Sequence, residues 1–569
     1  MRPIVCRPSP SREVIERFGD IDPLHARLYA MRGLRSADEL DYALAQMIPV
    51  SALDNIDEAA CLVIEKRDER IIVVGDFDVD GATSTALMLR CLKDFGFSNV
   101  EYLVPNRFDY GYGLTPEIVE VAAKRSPKLL ITVDNGVSSI AGVARANELG
   151  IPVLVTDHHL PGRELPAAAA ILNPNLEGST FPSRNLAGVG VAFYLLARIG
   201  RMLDDQGVAG AARMPARYLD LVALGTVADV VPLDHNNRIL VQQGLTRMRS
   251  GMAVPGIEAL LRQSGRSLTR CVSSDLGFAV GPRINAAGRL EDISVGIECL
   301  LTDDRSAAAE YARQLDQINK DRRDIEATMR EQAFKYVDNL GEQNWPDCVC
   351  VYDKSWHQGV VGLIAARVRE RCNRPVFAFA RDDAQVLKGS GRSIQGVHIR
   401  DLLEAVSTTT PGMIVKFGGH AMAAGLTIAT SALDDFKKSV AEQMRRLYPD
   451  ADFSGAIVTD GPLPGSAINL EFARSLRDAG PWGSQFPEPL WSGEFTIVEQ
   501  RTVGENHLKL RVRPSAGGDP VDAIAFNQAG PVFRGVVHLA YKLDVNEFRG
   551  VENPQLMVEQ IAPLRDRPA

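Results

Sequence analysis

Between residues 70 and 174 the chain alternates short apolar runs with amphipathic stretches, and the runs end abruptly on polar residues. Runs 71–75, 102–105, 129–133 and 153–156 lack the polar alternation of a half-exposed strand. They read as strands buried on both faces. Segments 82–95, 116–124 and 138–149 lie between them and repeat apolar residues at helical spacing. Strand and helix in alternation predict an α/β fold, an open parallel sheet covered by helices. This architecture fixes more than shape. The C-terminal ends of parallel strands lie along one edge, where ligands bind, so whatever follows these runs is carried to a common crevice.

After the first run comes Gly75-Asp76-Phe77-Asp78-Val79-Asp80-Gly81. Three carboxylates this close repel one another unless a cation compensates them, although a solvated turn is the plainer reading. A calcium loop of the EF-hand kind also begins D-x-D-x-D-G, but its twelfth position here is Leu87 rather than Glu, and a strand precedes it instead of a helix. The run 129–133 ends on Asp134-Asn135-Gly136, where the acid alone would be an ordinary helix cap. The run 153–156 ends on Asp157-His158-His159, which alone would be a loop histidine pair. Delivered together, Asp76, Asp78, Asp80, Asp134, His158 and His159 form a carboxylate and imidazole set that suits Mn²⁺, and Mg²⁺ less ideally. A carboxylate shared by two cations holds them about 3.5–4 Å apart, the spacing of two-metal phosphoryl-transfer sites.

Helices are expected onward to about Gln263, then a turn-rich segment over 277–290. Residues 305–337 are polar, charged and free of Pro and Gly, and predict a long, largely exposed helix joining two bodies. A second α/β unit is expected from about Trp345, with strands at 349–352 and 376–380 and a helix at 360–371. Beyond Pro449 short alternating strands at 494–501, 507–513, 521–526 and 536–546 suggest a small β-barrel, with an OB-fold leading. In His507-Leu508-Lys509-Leu510-Arg511-Val512-Arg513 the three cations Lys509, Arg511 and Arg513 share one face, which suits a phosphate backbone, although half-buried strands often expose such charges. Net charge is −9, so any nucleic-acid contact comes from local patches such as this one. The eight cysteines include no C-x-x-C pair, which predicts reduced thiols and a cytoplasmic protein. No run of roughly eighteen apolar residues predicts a membrane span, and residues 1–20 lack the apolar core of a secretory signal.

The ordered set Asp76–Gly81, Asp134, Asp157-His158-His159 and Gly225-Thr226-Val227-Ala228-Asp229 resembles the motifs of the DHH phosphoesterase family. The likeness implies Asp78, Asp80, Asp134, His158 and Asp229 as metal ligands for two Mn²⁺ or Mg²⁺ ions, with Asp134 bridging. It implies that His159 faces the scissile phosphate and that Asp157 orients the histidines, while Asp76 is either a ligand or a support. Further segments resemble the RecJ-type exonuclease branch in order. They are 281–289 (GPRINAAGR), 355–362 (SWHQGVVG), 389–393 (GSGRS) and 418–425 (GGHAMAAG). Gly418-Gly419-His420 offers backbone N–H groups without Cβ obstruction, and Ser390 with Arg392 adds a hydroxyl and a guanidinium, all suited to an anion. By resemblance Arg107, Ser390 and Arg392 would hold a 5′-terminal phosphate, with Arg283 near the strand.

The implied layout is a 1–69 segment packing on the catalytic domain, a DHH catalytic domain over 70–300, and a connecting helix over 301–342. A DHH-associated nucleic-acid-binding domain over 343–450 and an OB-like DNA-binding domain over 455–569 follow. The implied activity is 5′→3′ hydrolysis of single-stranded DNA to 5′-mononucleotides in recombination and repair. Single-strand-binding protein and a RecQ-type helicase are the implied partners. The alternative within the family is a short-oligonucleotide or cyclic-dinucleotide phosphodiesterase.

Overall fold

The computed structural model describes residues 2–104, 113–504, 506–530 and 532–564. The chain divides into two compact units, one of Ile4–Asp316 with the stretch from Val458 onward, the other essentially Gln317–Ile457.

In the first unit, β1 (Ile71–Val74), β2 (Val100–Leu103), β3 (Leu129–Val133), β4 (Val153–Thr156) and β5 (Ala170–Leu172) form a five-stranded sheet in the order β2-β1-β3-β4-β5. Every pairing is parallel, as the continuous apolar runs predicted. Helices α1 (Val79–Asp94), α2 (Pro116–Ala123) and α3 (Ile140–Glu148) provide the crossovers. The chain leaves β1 toward β2 on one side and then returns to place β3 on the other. The order therefore reverses between β1 and β3, which makes the C-terminal ends of those two strands the natural ligand crevice. Two further helices, α4 (Gly188–Asp205) and α5 (Leu219–Ala228), lie against α1.

The expected turns over 277–290 are instead helical: a π turn, Leu276–Val280, leads straight into α6 (Gly281–Leu290). Its glycines serve close packing rather than reversal. A Cβ at Gly288 would stand 1.9 Å from the carbonyl oxygen of Phe77. Pro282 supplies no N–H, and it directly follows the π turn, where the regular hydrogen-bond ladder is already interrupted. The long helix α7 (Arg305–Leu340) extends slightly beyond its expected end, and one stripe of it, including Ala308, Ala312, Leu315, Met329 and Val337, is buried. The boundary between the units falls within it.

The second unit carries β6 (Val349–Tyr352), α8 (Val361–Cys372), β7 (Val376–Arg381), β8 (Val386–Arg392), α9 (Ile399–Thr409), β9 (Ile414–Gly419), β10 (Ala423–Ala429) and α10 (Leu433–Leu447). The sheet order is β9-β10-β8-β7-β6, parallel only between β6 and β7. Phe377, Phe379 and Phe436 pack edge to face in its core.

The C-terminal strands β11 (Trp491–Val503), β12 (His507–Pro514), β13 (Val521–Ala525), β14 (Val536–Phe548) and β15 (Val551–Pro563) close a barrel in the order β11-β12-β13-β15-β14. The fifth strand was not expected, because Asn553 and Pro554 interrupt its pattern. The helix Leu470–Asp478 plugs the barrel core with Phe472, Ala473 and Leu476. Residues 4–34 pack here rather than on the parallel sheet. Leu28 joins the barrel core, and the fully buried guanidinium of Arg32 pairs with Asp460 at 3.0 Å. The amide of Arg7 donates to the carbonyl of Thr459, and the Tyr29 hydroxyl to that of Ala479. No helix among the described residues is long and apolar enough to cross a membrane, and all eight cysteines are free thiols.

Candidate metal centre

At the end of β1 the backbone turns directly into α1. Asp78 caps that helix, its Oδ1 accepting from the Gly81 amide at 3.1 Å. Gly81 is required there, since a Cβ would stand 2.6–2.7 Å from backbone atoms of Asp76. Asp76 is buried and its Oδ1 accepts from the Phe77 amide. Asp80, also buried, lies within the first turn. Its Oδ2 accepts from the Gly188 amide at 2.6 Å and its Oδ1 from the Val189 amide at 2.9 Å, so the N-terminus of α4 faces this carboxylate.

At the end of β3, Asp134 is 1% exposed and adopts φ +62, a left-handed conformation that Asp tolerates. Asn135 Nδ2 donates to the carbonyls of Val74 and Val133, tying the ends of β1 and β3 together. At the end of β4, Asp157 organises the histidine loop. Its Oδ1 accepts from the amides of His158 and His159 and meets His159 Nδ1 at 2.8 Å, while its Oδ2 accepts from the Val137 amide. Asn175 and Asn173 donate to the carbonyls of His158 and His159 from the far side. Asp229 terminates α5, and the next residue, Val230, holds φ +65. A β-branched residue in that region is strained, and such strain gathers where a side chain must be aimed.

These elements bring the side chains together. His158 Nε2 lies 3.1 Å from Asp134 Oδ1, 3.6 Å from Asp229 Oδ2 and 3.9 Å from Asp80 Oδ2. Three overlapping triads, Asp134/His158/His159, Asp80/His158/Asp229 and Asp76/Asp78/Asp134, each hold their ligand atoms within 4.8 Å. Burial, then repulsion from neighbouring carboxylates, pushes Asp80 and Asp134 well above the usual carboxylate range. Asp229 is raised by burial as well, against the pull of His158. Burial lowers His158, which keeps the imidazole neutral as a ligand must be. Although burial opposes it, the bond to Asp157 raises His159 to about 9. Asp157 lies below its ordinary value despite burial, chiefly through His159. Crowded buried anions with a neutral imidazole among them form a donor set for a hard divalent cation, and Mn²⁺ or Mg²⁺ fits it.

Sequence reasoning missed the space-makers. A Cβ at Gly188 would fall 2.6 Å from Asp134 Oδ1, and one at Gly225 2.9 Å from Asp80 Oδ1. It also missed Asn135, Asn173 and Asn175, whose only signal is their position directly after the apolar runs.

In the second unit Ser390 and Arg392 project from β8 on one face. Gly425 of β10 pairs with Ser390, and Gly418 of β9 pairs with Gly425, so an exposed glycine floor lies beside them. Arg392 donates to Ser390 Oγ at 3.0 Å and to the Gly391 carbonyl. No carboxylate pairs with it among the described residues, and burial with the nearby Arg369 lowers its pKa, an arrangement that an anion would relieve. The first turn of α8 abuts both, a Cβ at Gly362 coming within 3.0 Å of the Arg392 guanidinium. Gly419 holds φ +139 where β9 turns, and the His420 amide donates to the Ala423 carbonyl.

Two expected contacts look different in place. Arg283 is 8% exposed, paired with Asp316 at 2.7 Å and donating to the Ala279 carbonyl, so its guanidinium already has internal partners. Lys509 pairs with Asp522 at 3.1 Å, and Arg511 stands in register with Glu499 and Asp522, so the barrel face mixes signs. Arg107 lies outside the described residues.

Comparison with known proteins agrees with this architecture. The DHH family N-terminal domain matches residues 70–226, the DHHA1 domain 346–446 and the RecJ OB domain 459–560. The single-stranded-DNA-specific exonuclease RecJ of Escherichia coli (strain K12) is 50% identical over 97% of this chain and 98% of its own. The chain belongs to the RecJ family. RecJ of Thermus thermophilus in complex with Mn²⁺ superposes with TM-score 0.83 at 28% identity, covering 100% of this chain and 80% of that one. The same RecJ in complex with Mg²⁺ gives 0.77 at 28% identity, covering 99% and 79%. The RecJ assignment agrees with the parallel sheet, the second α/β unit and the closed barrel.

Proposed function

We propose that this chain is a metal-dependent exonuclease that degrades single-stranded DNA from the 5′ end and releases 5′-mononucleotides. The convergence of His158 with Asp80, Asp134 and Asp229 at the strand ends carries this reading. Asp78, Asp80, Asp134, His158 and Asp229 would hold two Mn²⁺ or Mg²⁺ ions, with Asp134 shared and Asp76 supporting or joining them. When bound, such ions supply Lewis acidity, favouring ionisation of water and neutralising charge at the phosphate. Asp80 would offer lone pairs not already engaged by the amides of α4. His159, held through Nδ1 by Asp157, would donate from its other ring nitrogen toward a non-bridging phosphate oxygen and stabilise charge as it develops there. The two asparagines behind the histidine loop fix its orientation, so little reorganisation is needed at reaction.

Ser390, Arg392 and the floor of Gly418-Gly419-His420 would receive phosphate, with Arg107 adding a further guanidinium and Arg283 stiffening the helix beneath the strand. Lys509, Arg511 and Arg513 would follow the backbone of a longer strand. Single-strand-binding protein and a RecQ-type helicase, as suppliers of single strands, and a cytoplasmic setting complete the reading. The test is the product ladder from 5′- and 3′-labelled single strands with Mn²⁺. Mononucleotides appearing at once from the 5′ label support it. Release from the 3′ label first, or turnover confined to dinucleotides, would replace it with another phosphodiesterase.

A further inference from the structure

Phe278 is 79% exposed, although the side chains around it in sequence, Leu276, Ala279 and Val280, are buried. It lies on the π turn Leu276–Val280, and the extra residue of such a turn rotates a side chain out of the helix's ordinary face. A large aromatic ring held in water contributes little to folding, and π turns recur at functional sites.

Its surroundings say which function. The turn packs on the metal centre's own scaffold. A Cβ at Gly277 would meet Val227 Cγ1 at 3.3 Å, and one at Gly281 would meet Ala228 Cβ at 3.4 Å, the two residues before Asp229. Asn285, on the helix that follows, accepts from the Val79 amide, between Asp78 and Asp80. Two more large apolar side chains stand in solvent directly beside site residues. Leu160 follows His159 at 67% exposed, and Val230 follows Asp229 at 65%. The acids and histidines suit phosphate with its counter-ions. They leave the other half of a nucleotide, a flat neutral base, without a partner.

We propose that Phe278 is a base-stacking platform at the metal centre that positions an unpaired nucleobase of the strand being cleaved. This rests on the reading of the centre as a single-stranded-DNA nuclease. Every base has a π face, so the contact is indifferent to sequence. In a duplex both faces are covered by neighbours, so the ring engages only an unstacked base. Strand selectivity thus has a source beside the metals.

The test uses the full chain with Mn²⁺ on a 5′-phosphorylated oligonucleotide, and on copies with one abasic nucleotide stepped through the first few positions. Phe278→Ala should raise KM about tenfold with a smaller change in kcat, and Phe278→Trp should restore it. At one position the abasic substitution should cost wild type about tenfold and Phe278→Ala almost nothing, because the partner ring is already gone. With 2-aminopurine there, stopped-flow fluorescence should dip before product forms in wild type and not in Phe278→Ala. Full activity of Phe278→Ala, or abasic losses of equal size in wild type and variant at every position, would overturn the proposal. If wild type does not cleave single strands at all, the reading of the centre fails instead.

Discussion

In the first sheet the reactive groups stand beyond the strand ends, on loops that begin where an apolar run stops. In the second sheet Ser390, Arg392, Gly418 and Gly425 lie within strands, on a face. The difference is one of tolerance. Strand ends at a topological reversal bring groups from several loops into contact, so each depends on the others. His158 Nε2 has three carboxylates within 3.9 Å. A sheet face presents groups side by side at strand spacing, and each acts more nearly alone.

Four perturbations bear on this contrast. Asp134→Ala should reduce cleavage by about a thousandfold or more, since the shared carboxylate serves the whole cluster. Asp134→Asn sharpens the point through stability. Burial and neighbouring anions raise the folded-state pKa of Asp134, so at neutral pH, without metal, this carboxyl ionises more readily in the unfolded chain and costs the fold stability. Removing that charge should raise the thermal midpoint in chelator by about 1 °C for each kcal/mol recovered in a unit of this size. Added Mn²⁺ should then stabilise wild type more than the variant. A midpoint in chelator that falls would break the account.

Arg392→Ala should lower activity on 5′-phosphorylated strands about ten- to a hundredfold, and less on 5′-hydroxyl strands, for the loss of one charge-assisted contact. Equal losses on both substrates would mean that Arg392 grips an internal phosphate. Gly425→Val tests the floor itself. Nothing lies within 4 Å of a Cβ there, and Val suits a strand, so the thermal midpoint should hold or rise while activity falls about tenfold. Retained activity would make the glycine incidental.

The smallest effects belong to the barrel. Arg511→Ala and Arg513→Ala should each raise KM for long strands about two- to threefold and reduce the salt slope of binding by about one. Lys509→Ala should do less, because Asp522 already pairs with it. If Lys509→Ala has the largest effect of the three, that ion pair opens on binding.

The same contrast explains what could be read from sequence. Apolar runs that end on acids announce both a buried strand and its cargo, so the parallel sheet and the convergence of Asp76, Asp78, Asp80, Asp134 and His158 were legible. Asp229 sits at the end of a helix, where acids are common, and only resemblance singled it out. Gly188 and Gly225 were silent because a glycine that makes room for a distant carboxylate has no local pattern. The helix over 281–290 was misread as turns for the same reason. The glycine floor of the second sheet looks like an ordinary loop until its register is known. Arg283 and Lys509 carry charges whose partners, Asp316 and Asp522, are fixed by packing that no periodicity reveals.

Residues 4–34 close onto the barrel, with Arg32 and Asp460 separated by 428 positions in the chain. Their partners Thr459, Asp460 and Ala479 are synthesised long after them. Until then the Leu28 side of the short helix Pro23–Met31 lacks its cover, and the Arg32 guanidinium lacks Asp460. The energetic cost of so distant a closure is modest, because loop entropy grows only logarithmically with length, but its timing is not. Docking of this segment must wait for Thr459, Asp460 and Ala479 and so completes the first unit late. Deletion from residue 455 onward would therefore leave the Leu28 side of this helix uncovered and Arg32 without Asp460, and the fragment would aggregate for reasons unrelated to DNA. A clean dissection needs both cuts, removing residues 4–34 together with the barrel.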